Sequence, residues 1–175
     1  MTPAPKVPLK ELNGFAPMEF VRVCGPLFEH SPWIAERTWA KRPFGSIDAL
    51  HRALVETVRD APEDEQIALI AAHPDLVGRM ARERRLTRES TAEQSAAGLN
   101  ELTADEARRF DQYNADYRSR FGFPFVICAR ENKKQSILQA FPARLANDRV
   151  TEIDTALAEI AKIARLRLLD RVDED

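Results

Sequence analysis

"LTADEARRFDQYNADYRSRFGFPFVICA", residues 102–129, contains both kinds of backbone that the chain is predicted to form. The stretch opens with Thr103-x-x-Glu106, a capping box that marks a helix start, and the helical pattern ends at Gly122. The residues around and after this glycine are apolar, aromatic or β-branched, and a proline interrupts them, so Phe121 to Ala129 is predicted to be extended. The sequence therefore predicts a long helix that leads directly into a short extended segment.

The extended segment raises the question of where its backbone hydrogen bonds go. Buried N–H and C=O groups need partners, and the sequence contains no clear set of partner strands for a sheet. One possibility is that a neighbouring loop, or the stretch "FVRVCG" near Val23, pairs with the segment. The other possibility is that the backbone of the segment hydrogen-bonds a flat polar ligand. The residues of the segment leave both possibilities open.

The rest of the chain has mostly helical patterns. Ser46 is a candidate N-cap for "SIDALHRALVETVRD", acidic residues begin "APEDEQIALIAAH", and a helix that is bent or split near Pro142 is predicted in "NKKQSILQAFPARLAND". Apolar residues line one face of the C-terminal "TEIDTALAEIAKIARLRLLD". We therefore predict an all-α, single-domain helical bundle over residues 11–175, preceded by a flexible, Pro-rich lead over residues 1–10.

The composition excludes several classes of protein. The net charge of −2 includes no surplus of positive charge, so neither nucleic acid nor an anionic membrane is expected as a partner. The two cysteines, Cys24 and Cys128, are too few for a disulfide framework, and a cytoplasmic location fits them. No group of His, Cys, Asp and Glu has a recognisable metal spacing, and no nucleotide-binding motif is present, so neither a metal nor a cofactor is indicated.

Two places hold polar residues that are suited to chemistry. His73 precedes Pro74 at the end of an apolar helical run, where the carbonyl end of a helix stabilises an imidazolium; in the simplest interpretation it only caps that end. Ser90-x-x-Glu93 has the pattern of a capping box, with Gln94 next, but a helix N-terminus is also an anion site. A histidine and a glutamate in one pocket would supply an acid–base pair.

Several motifs, in order along the chain, resemble one family. They are "LFEHSPWIAERTWAKRPF", "HPDL", "STAEQSAAGL", "FGFPFVICARENKK" and "RLANDRVTEIDTALAEIAKIARLRL". Together they closely resemble the decarboxylases that act on 2-oxo-4-hydroxy-4-carboxy-5-ureidoimidazoline (OHCU), an intermediate of urate breakdown, and that give (S)-allantoin. The resemblance covers nearly the whole chain after the N-terminal lead.

The resemblance implies a role for each candidate residue. His73 and Glu93 match the catalytic residues of the family, and Ser90, Gln94 and Pro74 match residues that bind the substrate or line its pocket. The extended segment matches a stretch that contacts the substrate, here formed by Phe125, Val126, Ile127, Cys128 and Ala129. The family also uses an arginine in its C-terminal half, for which the candidates are Arg130, Arg144, Arg165 and, by a slight preference, Arg167.

The function implied by the resemblance is a decarboxylation that needs no cofactor and no metal. The protein is then a carboxy-lyase of purine catabolism, acts on a small ureidoimidazoline, and is a cytoplasmic homodimer. Two alternatives remain at this point. The chain could be a helical interaction module in which the "HPDL" and "STAEQ" stretches are only caps, or a family member that acts on another ureido acid.

Overall fold

The computed structural model describes residues 5–78 and 86–174, and within them helices predominate. The prediction of an all-α fold is confirmed. The elements, in chain order, are β1 (Val7–Pro8), α1 (Leu9–Asn13), α2 (Pro17–Cys24), α3 (Trp33–Thr38), α4 (Ile47–Arg59), α5 (Glu63–Ala71), α6 (Arg88–Ala96), α7 (Ala104–Phe121), α8 (Lys134–Leu145), α9 (Arg149–Arg171) and β2 (Val172–Asp173). Short 3₁₀ turns lie at Gly25–Leu27, Trp39–Lys41 and Ala129–Glu131. None of the helices in these two ranges is long and apolar enough to cross a membrane.

The chain divides into two compact units. The first comprises Met1–Ala72 and Ala161–Asp175, and the second comprises His73–Ile160. In the first unit, Ser46 is the N-cap of α4 as predicted, since the Ala49 N–H donates to the Ser46 side chain at 3.0 Å.

The N-terminal lead, which the sequence predicts to be flexible, has regular secondary structure from Val7 onward. Val7 and Pro8 pair in parallel with Val172 and Asp173 of β2, and α1 begins at the next residue, Leu9, which is buried. The physical reason is the pairing with the C-terminal end of the chain, which a local sequence pattern does not reveal. Residues 1–4 of the predicted lead, and residue 175 of the predicted domain, lie outside the described residues.

The second unit contains the predicted helix and the predicted extended segment. The Thr103–Glu106 capping box of α7 is present in both directions, and α7 ends at Gly122 in the left-handed conformation, with a φ of 82°. Residues 123–128 then form neither helix nor strand, so the extended segment is shorter than the predicted Phe121 to Ala129: Phe121 is the last residue of α7, and Ala129 begins a 3₁₀ turn. Aromatic side chains of α7, α8 and this segment pack on one another, namely Phe110, Tyr113, Tyr117, Phe121, Phe123, Phe125 and Phe141.

Two local predictions need correction. α8 is one continuous helix through Pro142, so it is not split there. The stretch "FVRVCG" does not pair with the extended segment, because its residues from Phe20 to Cys24 form the end of α2.

Candidate active site

His73 opens a loop that begins directly after α5. The helix ends at Ala71 with Ala72 as its C-cap, so His73 lies just beyond the last turn in which it was predicted. This position agrees with the constraint that Pro74 places on the residue before it. The His73 side chain is buried. A buried imidazole nitrogen is therefore present at the start of the loop.

The helix α6 supplies three of the predicted site residues. Its N-cap is Thr87, whose hydroxyl accepts from the Ser90 N–H at 3.2 Å, so the prediction that Ser90 caps this helix is wrong. Ser90 instead lies in the first turn and is buried, as is Gln94 in the next turn. Glu93 precedes Gln94 on the same helix. Because Thr87 serves as the cap, the Ser90 hydroxyl is not needed for that purpose.

A side-chain hydrogen bond joins α6 to the His73 loop. The Val77 N–H donates to Oε1 of Gln94 at 3.1 Å, inside the second unit. The loop that begins with the "HPDL" stretch and the helix that contains "STAEQ" are therefore in contact, although Val77 and Gln94 are 17 residues apart in sequence. If the two stretches were only independent helix caps at the surface, this hydrogen bond between them would not be expected.

The helix α6 also approaches the extended segment. Burial raises the pKa of the Cys128 thiol to about 11. The negative charges of the Glu131, Glu159 and Glu93 carboxylates also raise this pKa. The Ala97 carbonyl at the end of α6 accepts from the Lys134 N–H at 3.2 Å, just after the 3₁₀ turn that ends the segment. Glu93 thus lies on a helix that borders both the His73 loop and the segment.

Side chains, not a strand, engage the backbone of the extended segment. The Val126 carbonyl accepts from the guanidinium of Arg144, and the Cys128 N–H donates to the Glu159 carboxylate at 2.8 Å. The Cys128 carbonyl accepts from the side-chain amide of Asn132 at 2.9 Å. Several of the backbone groups that the sequence left without a partner are therefore held from within the protein, and any pairing with a ligand falls to the others.

A buried charged cluster lies beside the segment. The Arg144 guanidinium bonds Glu152, which is fully buried, and stacks at 4.3 Å over the ring of Phe125. The Tyr117 hydroxyl donates to the same carboxylate of Glu152 at 2.5 Å. Burial raises the pKa of Tyr117 far above its usual range, and the hydrogen bond to Glu152 adds to this effect. Tyr117 is therefore a neutral hydrogen-bond donor, and Arg144, one of the candidate substrate-binding arginines, serves the segment.

Arg167 belongs to the first unit. It is buried and bonds Glu29 at 3.1 Å, and its guanidinium also donates to the Pro26 carbonyl at 3.3 Å. Another candidate, Arg165, forms an exposed ion pair with Asp48 in the same unit. The role of Arg167 as a substrate contact therefore stays a prediction.

The second unit thus holds all but one of the predicted site residues, namely His73, Pro74, Ser90, Glu93, Gln94 and Phe125 to Ala129. Sequence reasoning missed Asn114, Glu152 and Glu159. Asn114 did carry a signal, because this amide lies in the buried stripe of α7 between Phe110 and Tyr117. Within residues 5–78 and 86–174, no group of three or more His, Cys, Asp and Glu is arranged to hold a metal ion.

The fold and these contacts define a mostly helical protein whose second unit contains a buried histidine, a glutamate on α6 and polar hydrogen-bonding groups. Comparison with known proteins identifies the family. The sequence pattern of the OHCU decarboxylase family matches residues 13–169. The 2-oxo-4-hydroxy-4-carboxy-5-ureidoimidazoline decarboxylase of Halalkalicoccus jeotgali is 40% identical, over 93% of this chain and 90% of its own. The chain belongs to the OHCU decarboxylase family.

Two further similarities agree with this family. The "Uric acid degradation bifunctional protein" of a Bacillus species is 42% identical over 91% of this chain, which spans 31% of that longer protein. A crystal structure of (S)-allantoin synthase is similar in fold, with a TM-score of 0.74 and 29% sequence identity. The match covers 95% of this chain and 55% of the synthase chain.

Proposed function

We propose that this protein decarboxylates OHCU to (S)-allantoin in urate degradation. Family membership supports the reaction, since relatives along nearly the whole chain carry the name of this decarboxylase. The structural observation that carries the proposal is the hydrogen bond from the Val77 N–H to Gln94, which brings the His73 loop against the helix of Glu93. The burial of His73, Ser90 and Gln94 argues against an interaction module, which would need its polar groups on the surface.

The reaction requires control of one carbon–carbon bond and one proton. The carboxylate and the hydroxyl of OHCU share a ring carbon. When that carbon loses CO₂, the bonding electron pair forms a C=C bond with the neighbouring ring carbon, and the π pair of the ring C=N moves to the ring nitrogen, which takes up a proton. The hydroxyl proton then leaves as the carbon becomes a carbonyl, and a proton adds to the neighbouring ring carbon that bears the ureido arm. The enzyme must orient the carboxylate, stabilise the charge that develops and deliver the proton to one face.

His73 and Glu93 are the proposed catalytic residues. His73 contacts the hydroxyl and the carboxylate, and takes the hydroxyl proton or stabilises the developing charge. Glu93 holds the N–H groups of the ring and the ureido arm or transfers a proton. The two side chains have different tasks because an imidazole can both accept and donate a proton, whereas a carboxylate is the natural acceptor for N–H groups.

The remaining predicted residues orient the substrate. Ser90 and the amide nitrogen of Gln94 offer hydrogen bonds to its polar edges, since Oε1 of Gln94 already accepts from Val77. Pro74 lines the pocket, and backbone groups within Phe125 to Ala129 pair with the planar N–C=O units. Arg167 is proposed as the cation for the carboxylate.

We further propose that the enzyme is a cytoplasmic homodimer that needs no cofactor. The absence of a cofactor from the reaction is reasonable because the substrate already contains the C=N that accepts the electron pair. If this is right, turnover will be unchanged after dialysis against EDTA. Loss of turnover that a divalent metal ion restores would contradict the metal-free mechanism.

The direct test of the activity is optical. OHCU is generated from urate with the two enzymes upstream, this protein is added, and circular dichroism follows the appearance of (S)-allantoin. We expect the signal to rise faster with the protein than by spontaneous decay, and with a single sign. A trace identical to the spontaneous one would exclude this substrate, and the assay would then be repeated with other ureido acids.

A further inference from the structure

One peptide group in the His73 loop is held at both ends by side-chain amides. The carbonyl of Leu76 accepts from Nδ2 of Asn114 at 2.8 Å, and the N–H of the next residue, Val77, donates to Oε1 of Gln94 at 3.1 Å. The C=O of Leu76 and the N–H of Val77 belong to the same planar peptide group, since they flank one C–N bond. Asn114 on α7 and Gln94 on α6 therefore fix the orientation of this group together.

The orientation that they fix is an unfavourable one for Val77. This residue has a φ of 57°, in the left-handed region that β-branched residues rarely adopt. Rotation of the peptide group by half a turn would return Val77 to an ordinary extended φ. The two amides oppose that rotation, because it would direct the Leu76 carbonyl away from the Asn114 donor and the Val77 N–H away from the Gln94 acceptor.

Asn114 is poorly explained as a residue that only stabilises the fold. Its side chain is buried, and its Oδ1 atom has no hydrogen-bond partner among the described residues. A buried acceptor without a partner costs free energy, so an apolar side chain at this position of the α7 stripe would suit stability better. The hydrogen bond to the Leu76 carbonyl is the contact through which Asn114 acts on another part of the unit.

The same face of α7 reaches the loop a second time. Arg118, one turn after Asn114, donates from Nε to both carboxylate oxygens of Asp75, at 3.0 and 3.1 Å. This pair is partly exposed. Two successive loop residues, Asp75 and Leu76, are thus tied to α7, and they follow His73 and Pro74 directly.

From this geometry we infer that Asn114 is a positioning residue for the active site. It fixes the Leu76–Val77 peptide and, through that peptide, sets both the loop that carries His73 and the amide of Gln94 that orients the substrate. The inference rests on the proposed function. An error of about 1 Å in the placement of a catalytic group can reduce the rate about a hundredfold, so a residue that touches no substrate can still control kcat.

The test compares Asn114→Ala with Asn13→Ala. Asn13 is a matched control in the first unit, because its side-chain amide also holds the backbone of a distant residue, with hydrogen bonds to both the carbonyl and the N–H of Phe44 at 2.9 and 2.8 Å. Both variants are assayed for OHCU decarboxylation at a temperature at which circular dichroism shows them folded. Asn114→Ala is expected to lower kcat about tenfold or more, with KM changed less than about twofold, whereas Asn13→Ala keeps both constants and loses only thermal stability.

A second variant covers the case in which Asn114→Ala does not fold. In Asn114→Asp, the ionised carboxylate cannot donate to the Leu76 carbonyl, but the protonated carboxyl can. We expect kcat of this variant, relative to the unsubstituted protein, to recover as the pH falls through the pKa of the introduced carboxyl. A relative kcat near one at all pH values, or a kcat of Asn114→Ala equal to that of Asn13→Ala, would overturn the inference. Failure of the unsubstituted protein to accelerate the reaction would instead refute the proposed function.

Discussion

The His73 loop and the extended segment are both irregular stretches of the second unit, but different kinds of side chain hold them. Neutral amides from Gln94 and Asn114 hold the loop, with a partly exposed ion pair at Asp75. Charged side chains hold the segment, through the buried Arg144 at the Val126 carbonyl and the half-buried Glu159 at the Cys128 N–H. Removal of a neutral amide leaves at most an unsatisfied dipole, whereas removal of one member of a buried ion pair leaves an uncompensated charge.

This difference separates stability from catalysis. Substitutions that remove the support of the segment should have the larger effect on the free energy of unfolding, since loss of the fully buried Glu152 carboxylate would leave the charge of Arg144 uncompensated. The loop should matter less for stability and more for rate, because small displacements of His73 change the geometry of the reaction. Variants in the two regions should therefore fall into two groups.

The largest effect on stability is expected for Glu152→Gln. This substitution keeps the shape of the side chain but leaves the guanidinium of Arg144 buried without its counter-charge. It should reduce the free energy of unfolding by about 3–5 kcal/mol, measured by urea denaturation. The control is Asp48→Asn, which removes the exposed partner of Arg165 and should change stability little. Equal effects of the two substitutions would show that the cluster beside the segment is not a strong constraint.

A smaller effect is expected where α7 leads into the segment. Gly122 has a φ of 82°, and a Cβ added there would meet no atom within 4 Å, so Gly122→Ala introduces backbone strain without a clash. The cost should be about 1–2 kcal/mol. Gly45→Ala is the control, since Gly45 has equally open surroundings and no positive φ, and it should be neutral or slightly stabilising. A stable Gly122→Ala variant would mean that the entry to the segment can relax.

The smallest effect is expected when the native protein is treated with a thiol reagent, which should modify its two cysteines very slowly. Burial raises the pKa of Cys24 to about 12 and that of Cys128 to about 11, so at pH 8 only about one Cys128 in a thousand is a thiolate. Both thiols should resist a disulfide reagent at pH 8 and react after unfolding in urea. Rapid modification of Cys128 but not of Cys24 in the native protein would show that the segment opens locally. That result would contradict the view that side chains such as Glu159 hold the segment in place.

The sequence predicts the features that depend on neighbouring residues. The Ser46 cap, the Thr103–Glu106 capping box and the Gly122 terminus are local signals, and the structure confirms them. The cap of α6 was misassigned because Thr87 and Ser90 both suit the position, and only the start of the helix decides between them. Local ambiguity of this kind shifts a boundary without changing the fold.

Contacts between distant residues could not be predicted in the same way. Arg144 lies 18 residues from Val126, Glu159 lies 31 residues from Cys128 and Asn114 lies 38 residues from Leu76. A hydrogen bond from a side chain to a distant backbone group has no sequence pattern, because it depends on tertiary packing. The resemblance to the OHCU decarboxylases implied the roles of the candidate residues, and the structure showed which side chains support them.

The most direct test of the central claim is the rate of (S)-allantoin formation by His73→Asn, followed by circular dichroism, together with the melting temperature. Asparagine is accepted at helix ends but neither gains nor loses a proton near neutral pH, so a histidine that only caps α5 could be replaced with little effect. The proposed mechanism predicts a near-normal melting temperature and a loss of rate of at least about a hundredfold, and the same result for Glu93→Gln. Full activity of a folded His73→Asn variant would contradict the role assigned to His73.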